Sequence, residues 1–461
     1  MVDSPMRLSR ALLSTSDIAV QADASTQERV LDRAAELFSR KGYAATTTRE
    51  IAASLGIRQA SLYHHVASKE NLLCQLCVTS LEQLLKEVQS AVNESDCPDG
   101  RVRILVSTHL NTLLKYRTRH ALMLTELRSL SGTRRRQVVG LRKRYEKLVL
   151  AILKHGQSDG SVRTDIPAKY LCLALLNMLN WAILWFRDDE ALSVDQLAEI
   201  FARTYIDGAT TSAGRLSGML PDLEPGGSRV VAARRHKPPR ASQAPISTRL
   251  LDTAAALFAK KGYALTSTRE IAAQVGIQKA SLYYHIETKE DLLYDLCKCI
   301  LKQIQSDVEA ALKDASNPLE RTGILIRTHI ESMLRDQDRH SAALTEMSSL
   351  STERLDEVTA LRDAYESLVR SVLDEAQAAG ALRQDVPVKY LCLALLGLLN
   401  RVLVWFRPNG PLSPDQIGVL FATIYLTGAA AEPNSRRPPA TASSSGSFED
   451  AFSVRSRARP R

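Results

Sequence analysis

The sequence predicts an all-α protein built from two tandem copies of one helical unit. Shifting the chain by 220 residues aligns its second half with its first without a gap, and 23 of the 36 residues in 38–73 are identical to those in 258–293. Helical periods of apolar residues recur throughout both copies, whereas no stretch shows strand-like alternation. Between the copies, residues 213–244 are rich in Pro and Gly and have no helical period, which is typical of a linker.

The start of each copy has the signals of successive short helices. Four apolar residues recur at i, i+4, i+7 and i+8 in the first predicted helix: Val30, Ala34, Leu37 and Phe38. Gly42 follows directly and is expected to end this helix. Thr47-x-x-Glu50 and its copy Ser267-x-x-Glu270 predict capping boxes that begin a second helix.

A turn and a third short helix come next. Gly56 and Gly276 predict the turn, because glycine adopts positive φ without strain. The third helix is expected over 58–65, and Ser68 is expected to cap a long fourth helix. Five further helical periods follow in the first copy, near 101–115, 120–130, 134–156, 167–187 and 193–211. The sequence therefore predicts nine helices in each copy.

The second and third helices have the form of a helix-turn-helix. In this motif the second helix enters the major groove and presents its N-terminal side chains to the bases. Those side chains are Arg58 and Gln59 in the first copy, and Gln278 and Lys279 in the second. Arg and Lys can donate to guanine O6 and N7, and Gln can pair with adenine. Each copy is therefore predicted to contain one DNA reader.

These signals divide the chain into seven segments. Unit 1 covers 25–212 and unit 2 covers 245–432, and each is long enough to bury its own core. The segments are a disordered arm (1–24), reader 1 (25–70), a larger helical domain (71–212), a basic linker (213–244), reader 2 (245–290), a second larger domain (291–432) and a disordered tail (433–461). The linker is either simply solvated or a strap that touches DNA phosphates.

Composition favours a DNA partner and a reducing compartment. The net charge is +9 and the pI about 9.2, which favours polyanionic ligands. Seven oddly spaced cysteines do not form a disulfide framework, and Cys77 and Cys172 are expected to be buried thiols; a redox switch at Cys74 and Cys77 is the alternative. The first 25 residues lack the apolar core of a signal peptide. A bacterial cytoplasmic protein near the nucleoid is therefore expected.

No sequence signal favours catalysis or membrane insertion. The chain has no phosphate-binding Gly loop, nucleophile elbow or zinc signature, so no catalytic site, metal or cofactor is predicted. The longest apolar run, 171–186, is interrupted by Asn177 and Asn180 and is predicted not to span a membrane.

The helix-turn-helix region of each unit resembles the DNA-binding signature of TetR-family transcriptional regulators. The residues that carry this resemblance are Thr48-Arg49-Glu50-Ile51-Ala52-Ala53, Gly56-Ile57, Ser61-Leu62-Tyr63-His64-His65-Val66, Lys69-Glu70 and Leu72-Leu73. The same pattern recurs from Thr268 to Leu293. The resemblance implies three DNA-binding helices followed by six that receive a ligand and dimerise.

The resemblance also implies roles for individual residues. Thr48, Tyr63 and Lys69 would contact phosphates, with Arg49 and other side chains near the bases. The full set of implied DNA contacts is Thr48, Arg49, Arg58, Gln59, Ser61, Tyr63, His64, His65 and Lys69 in reader 1, and Thr268, Arg269, Gln278, Lys279, Ser281, Tyr283, Tyr284, His285 and Lys289 in reader 2.

A small-molecule effector is implied for the larger domains. Polar residues that recur within their helices are candidate ligand contacts: His109, His120, Glu126, Tyr145, Asn180 and Trp185, and His329, His340, Glu346, Tyr365, Asn400 and Trp405. Each could instead be a satisfied structural residue. A metal site of His109, His120 and Glu126 is conceivable, although their spacing does not specify one. The regions around 180–196 and 405–416 are similar to TetR-type regulators of lipid and steroid breakdown, which implies an acyl-CoA effector.

Two units in one chain suggest an intrachain pseudo-dimer. TetR-family proteins are ordinarily homodimers, and a flexible 32-residue linker would span roughly 28–34 Å, close to one half-site separation. Residues 100–165 carry 15 Lys/Arg and 4 Asp/Glu, whereas 320–385 carry 8 and 13, so the unlike units are expected to attract. The readers differ in sequence, which predicts an operator with unequal half-sites. The alternative is a structural protein that bridges separate DNA sites, and activation cannot be distinguished from repression.

Overall fold

The computed structural model describes residues 26–94, 98–187, 192–209 and 245–429. The predicted arm (1–24), linker (213–244) and tail (433–461) lie outside these ranges, as does the basic strap within the linker. No β-strand occurs in the ranges described, and helix follows helix in both units. The predicted all-α class is therefore confirmed.

Unit 1 contains nine α-helices among its described residues, as predicted. They are α1 (Thr26–Lys41), α2 (Thr48–Ser54), α3 (Gln59–His65), α4 (Lys69–Asn93), α5 (Pro98–Lys115), α6 (Arg117–Thr125), α7 (Gly132–Asp159), α8 (Ala168–Trp185) and α9 (Val194–Ala209). A short 3-10 turn, Leu127–Ser129, joins α6 to α7.

Unit 2 repeats this order with one change. Its helices are α10 (Ile246–Lys261), α11 (Thr268–Val275), α12 (Lys279–Leu282), α13 (Lys289–Leu312), α14 (Pro318–Arg335), α15 (Gln337–Glu346), α16 (Thr352–Ala378), α17 (Val388–Asn400), α18 (Val402–Trp405) and α19 (Pro414–Ala429). The counterpart of α8 is broken into α17 and α18 at Arg401, where the Val404 amide bonds the Arg401 carbonyl three residues back. Within 245–429, unit 2 therefore contains the nine predicted helices, with the eighth interrupted at Arg401.

The predicted helix signals are present, with one exception. Thr47 accepts a hydrogen bond from the Glu50 amide, and the Glu50 carboxylate accepts one from the Thr47 amide, so the first capping box is complete. Ser267 caps α11, but the Glu270 carboxylate pairs with Lys261 instead of completing the box. Gly56 and Gly276 have φ of +69° and +81°, as the turn requires.

Each reader packs onto its own larger domain through one continuous core. In unit 1, Phe38, Ile51 and Leu62 from α1, α2 and α3 share a buried cluster with Leu73 and Leu76 of α4. Unit 2 has the equivalent cluster. A movement of α4 or α13 relative to its domain is therefore transmitted to the reader, because packed cores deform little.

The two units pack against each other through their last helices. α8 lies along α17, and α9 lies along α19. α8, and the α17–α18 stretch Val388–Trp405, are long and apolar enough to cross a membrane, but 72% and 67% of these segments are buried within the protein. Their apolar surfaces are accounted for by burial in this inter-unit bundle.

The closest approach in the bundle depends on a residue that differs between the units. A Cβ atom built at Gly397 of α17 would lie 2.8 Å from the Cβ of Trp181 on α8, so only glycine fits. The equivalent residue in unit 1 is Asn177, whose buried side-chain amide donates to the Leu398 carbonyl at 3.1 Å. The two helices are thus complementary but not interchangeable.

Polar contacts between the units are also unlike on the two sides. Arg383 Nη1 lies 2.7 Å from Asp207 Oδ2, whereas the equivalent Arg163 donates to the Thr427 hydroxyl at 3.1 Å. Arg128 of unit 1 pairs with the buried Glu346 of unit 2. The Arg128–Glu346 pair joins the basic region 100–165 to the acidic region 320–385. The exposed cations of α7 do not take part in the pairing of the two units.

Candidate functional site

A threonine at the start of α2 links the two helices of reader 1. The Thr48 hydroxyl accepts a hydrogen bond from Gln59 Nε2 at 3.2 Å and lies 3.2 Å from the Tyr63 hydroxyl. Arg49 and Arg58 are exposed beside this cluster. The arrangement fixes α3 against α2 and leaves two guanidinium groups free to approach an anionic surface.

Reader 2 retains the threonine–tyrosine pair but changes its surroundings. Thr268 Oγ1 lies 3.4 Å from the Tyr283 hydroxyl. Lys279, at the position of Gln59, places its ammonium 5.7 Å from the Tyr283 ring centroid. Tyr284, at the position of His64, is 87% exposed. Reader 2 therefore presents a lysine and a protruding tyrosine where reader 1 presents an amide and an imidazole.

The remaining predicted DNA contacts lie on or beside the same surface. Arg269, Gln278 and His285 are exposed in reader 2, and His64 is exposed in reader 1. Ser61 and Ser281 are half-buried. The His65 side chain lies outside the described part of the structure. The structure thus groups these side chains, while their contacts with DNA stay predictions.

Two lysines predicted to contact phosphates also hold the backbone of their readers. Lys69 Nζ donates to the carbonyls of Tyr43, Ala44 and Thr46 at 2.8, 3.2 and 2.9 Å. Lys289 likewise donates to the carbonyls of its own reader at 2.8 and 2.9 Å. All three donors of the Lys69 ammonium and two of those of Lys289 are used in this way, so both lysines fasten the loop between the first two helices, and their contacts with phosphate stay predictions.

The larger domains each contain a buried histidine–tyrosine pair. His109 Nδ1 lies 2.6 Å from the Tyr145 hydroxyl, and His329 Nδ1 lies 2.7 Å from the Tyr365 hydroxyl. Burial lowers the pKa of His109 and of His329 to about 3. Both imidazoles are therefore uncharged at neutral pH. A group that lies beside them is expected to be uncharged or to form a hydrogen bond with the ring.

A second buried histidine accompanies each pair. Burial lowers the pKa of His120 and of His340 to about 4. Neither ring nitrogen of His120 has a hydrogen-bond partner within the described structure, whereas His109 and His329 interact with Asn180 and Asn400 as well as with their tyrosines. Buried polar atoms normally have partners, so the nitrogens of His120 are available to a ligand or to water.

A cavity of about 90 Å³ lies beside the histidines of unit 2. Five predicted ligand residues line it: His329, His340, Tyr365, Asn400 and, from unit 1, Trp185. Trp181, Leu184 and Trp185 of unit 1 form part of its wall, together with Arg362 of unit 2. The cavity is thus mostly apolar, carries a few polar groups and is completed by the neighbouring unit, which is the usual form of a small-molecule site.

Comparison with known families accounts for both parts of each unit. The family described as "Bacterial regulatory proteins, tetR family" matches residues 30–76 and 250–296. The family described as "Tetracyclin repressor-like, C-terminal domain" matches residues 95–209 and 315–429. The chain belongs to the TetR family. It contains two complete TetR units in tandem, where the paired DNA-binding and C-terminal domains each occur twice.

Individual relatives correspond in length to one unit of this TetR-family chain. The HTH-type transcriptional repressor KstR2 of Rhodococcus jostii is 30% identical over 181 residues, which are 39% of this chain and 88% of that protein. The fatty acid metabolism regulator protein of Bacillus subtilis is 21% identical over 35% of this chain and 82% of that protein. The solved structure of KstR2 from Mycobacterium tuberculosis matches 41% of this chain and 96% of its own, with 27% identity and a TM-score of 0.39.

The glutamates predicted as ligand contacts lie elsewhere in this TetR-family structure. Glu346 is buried, accepts a hydrogen bond from the Tyr263 amide at 3.0 Å and pairs with Arg128. Glu126 accepts a hydrogen bond from the Ser129 hydroxyl. Glu346 does not line the cavity, and the described residues contain no group of three or more potential metal ligands. The conceivable His/His/Glu metal site is therefore not formed.

The two predicted tryptophans lie in different surroundings. Trp185 lines the cavity of unit 2 rather than one in its own unit, because α8 crosses to the neighbouring domain. Trp405 does not line this cavity; it is packed against Phe421, with ring centroids 6.0 Å apart. Two further residues were missed: Trp181 in the cavity wall and its counterpart Arg401. A comparison of the two copies could have found them, because they differ within an otherwise matching block.

Proposed function

We propose that one chain is a complete TetR-type repressor, an intrachain pseudo-dimer whose two readers bind one operator. The observation that carries this proposal is the fit of Gly397 against Trp181 in the inter-unit bundle. In a homodimer made by two first units, Asn177 would take the place of Gly397 and its Cβ would meet the partner's Trp181. Overpacking at such a contact is costly, so pairing of unit 1 with unit 2 is favoured over pairing of like units.

The operator is proposed to have two unequal half-sites. Arg58 is replaced by Gln278, Gln59 by Lys279 and His64 by Tyr284 between the readers. All six are on the surface expected to face the major groove, where Arg and Lys prefer guanine and Gln prefers adenine. An imperfect palindrome follows, with half-sites separated by about one helical turn or a multiple of it.

Release from DNA is proposed to follow binding of a small molecule in the larger domains. Support comes from the unpaired ring nitrogens of His120, the cavity of unit 2 and the continuous core that joins each domain to its reader. A ligand that occupies the domain can shift α4 or α13, and the readers then lose the spacing that the operator requires.

An acyl-CoA thioester is the effector class that we propose, with its charged part in unit 1. Arg401 occupies the position equivalent to Trp181 and lies near Arg142, the counterpart of Arg362. Burial and the proximity of Arg142 lower the pKa of Arg401 to about 10, so both guanidinium groups stay charged at neutral pH. Neither makes an ion pair within the described ranges. The fatty acid metabolism regulator among the relatives is consistent with an acyl ligand.

Native mass spectrometry of the full chain on one short operator tests the main proposal. The operator is first obtained by selection from random duplexes. A complex of one chain per duplex, which breaks up when acyl-CoA is added, is the expected result. Two chains on one duplex would contradict the pseudo-dimer, whereas one chain that ignores every acyl-CoA would contradict only the effector.

A structural DNA-bridging protein is the second candidate, since each unit has its own reader. It would hold two separate duplexes with one chain and would not respond to small molecules. The same mass spectra distinguish it, because bridging gives complexes with two duplexes per chain. In either case we propose a bacterial cytoplasmic protein associated with the nucleoid.

A further inference from the structure

One face of α7 carries a continuous stripe of positive charge. Arg136, Lys143, Lys147 and Lys154 are spaced at i, i+7, i+11 and i+18, which places them within about 40° of one another around the helix. All four are exposed, and none makes an ion pair within the described part of the chain. The exposed Glu146 lies beside the stripe, three residues after Lys143. The basic stripe extends over about 27 Å of helix.

The same face of the equivalent helix in unit 2 carries the opposite charge. The counterparts of the four cations on α16 are Asp356, Asp363, Ser367 and Asp374. Asp356 and Asp374 are exposed and make no ion pair among the described residues, whereas Asp363 pairs locally with Arg362 at 2.8 Å. At the four equivalent positions unit 1 thus carries four positive charges and unit 2 three negative ones, one of which is offset by Arg362.

Neither stripe is used in pairing the two units of one chain. α7 packs against α4, α5 and α8, and α16 packs against α13, α14 and α17. The inter-unit bundle is made instead by α8, α9, α17 and α19, whose contacting surfaces are largely apolar. The basic stripe of α7 and the acidic stripe of α16 therefore do not contact each other within one chain.

We propose that the basic stripe of one chain docks on the acidic stripe of a second copy. Each chain carries both halves of this contact, and complementary charge over equal lengths favours such a pairing over a like-charged one. If the contact is head-to-tail, it leaves one free stripe at each end and can add further chains. The contact would let repressors on neighbouring operators assist one another.

Exposed ion pairs are individually weak and are screened by salt, so the association should be weak and strongly dependent on ionic strength. This separates it from the intrachain pseudo-dimer, which rests on apolar packing and should persist in high salt. Failure of one proposal therefore leaves the other standing.

Sedimentation velocity of the full chain over a range of concentrations tests the proposal. At low ionic strength the sedimentation coefficient should rise with concentration, and at high ionic strength the chain should sediment as a single copy. Two variants provide the decisive comparison: Lys143→Glu/Lys147→Glu cancels the net charge of the basic stripe and keeps the acidic one, whereas Asp356→Lys/Asp374→Lys removes the acidic stripe and keeps the basic one. Each alone should remain a single copy, and an equal mixture should associate, because one variant supplies the basic stripe and the other the acidic stripe.

The control is Lys302→Glu/Lys313→Glu, which changes the net charge equally but alters exposed cations away from α7. It should associate like the unmodified chain. The proposal is overturned if the unmodified chain sediments as one copy at every concentration in low salt, or if the mixed variants fail to associate. It is also overturned if Lys143→Glu/Lys147→Glu still associates and loses only its non-specific affinity for DNA, because the basic stripe would then bind DNA.

Discussion

The two units of this chain share the scaffold of their readers and the buried histidines of their larger domains, but they differ where they meet. Both retain the threonine–tyrosine pair of the reader and the buried histidine–tyrosine pair of the larger domain. At the inter-unit bundle, in contrast, Asn177 faces unit 2 where unit 2 has Gly397, and Trp181 corresponds to Arg401. Because these positions differ, each unit is expected to pack better on the other unit than on a second unit identical to itself.

The readers differ in one further respect, which is their attachment. Arg128 of unit 1 pairs with Glu346, and Glu346 also accepts a hydrogen bond from the Tyr263 amide in the loop of reader 2. The counterpart of Arg128 in unit 2 is Ser348, which is too short to make the reciprocal contact. Reader 2 is therefore held by a contact from unit 1, whereas, among the residues described, reader 1 has no reciprocal contact from Ser348 of unit 2; we call the contact from unit 1 the one-sided clasp.

The largest expected effect is that of Gly397→Ala. The added Cβ would lie 2.8 Å from the Trp181 Cβ, and we expect a loss of about 1–3 kcal/mol in the free energy of unfolding. Gly140→Ala is the control, because a Cβ there meets nothing within 4 Å and should stabilise α7 by about 0.5–1 kcal/mol. Urea unfolding of both variants gives the comparison. Stabilisation by both would mean that the bundle is not packed as described.

Exchanging reader identities should shift operator preference by a comparable or smaller amount. Arg58→Gln/Gln59→Lys/His64→Tyr gives reader 1 the surface residues of reader 2. We expect about 1–3 kcal/mol of discrimination to move toward an operator with two identical half-sites of the reader 2 type. Competition binding with the natural and the symmetric duplex measures it. An unchanged preference would show that these positions do not read bases.

Removing the one-sided clasp should weaken one reader more than the other. Arg128→Ala leaves the buried Glu346 carboxylate without its cation, at an expected cost of about 1–2 kcal/mol, because Arg128 is partly exposed. Protection of the reader 2 half-site in footprinting should fall first. Arg103→Ala, which breaks the exposed pair with Glu199, is the control and should cost less than about 1 kcal/mol. Equal loss at both half-sites would contradict the clasp.

The buried histidines should make both units sensitive to acid to a similar extent. Their folded pKa values of about 3 and 4 lie below the ordinary value of 6.5, so the unfolded chain binds more protons as pH falls. Stability should therefore decrease from about pH 6.5 downwards, by about 2 kcal/mol per histidine at pH 5. His120→Gln and His340→Gln should each flatten the pH profile of unfolding. If only one of the two substitutions flattened the profile, the buried histidines of the two domains would not be equivalent.

Local features were predictable from the sequence because they depend on neighbouring residues. The capping residues Thr47 and Ser267, the positive φ of Gly56 and the all-α class follow from short-range signals. The readers followed from the repeated motif. The actual partners of Lys69 and Glu346 did not, because both bond to backbone atoms brought close only by folding.

The lining of the ligand cavity could not be predicted in the same way. Sequence order does not reveal that α8 crosses into the neighbouring domain, so the place of Trp185 in the wall of the unit 2 cavity was not predictable. The contrast in charge between the units was real but was assigned to pairing, whereas the structure leaves the α7 cations exposed. Substitutions between the two copies, such as Asn177 to Gly397, were the signal that could have located the bundle contacts in advance.

Photocrosslinking from Leu184 tests the central claim most directly, because this α8 residue lines the cavity of unit 2. A photoreactive phenylalanine analogue placed there should react with unit 2 of the same chain. The account predicts a product with the mass of one chain, in which the peptide containing position 184 is joined to a peptide of α13, α14, α16 or α17, at any protein concentration and in high salt. A product with the mass of two chains, joined between two copies of the position 184 peptide, would contradict it.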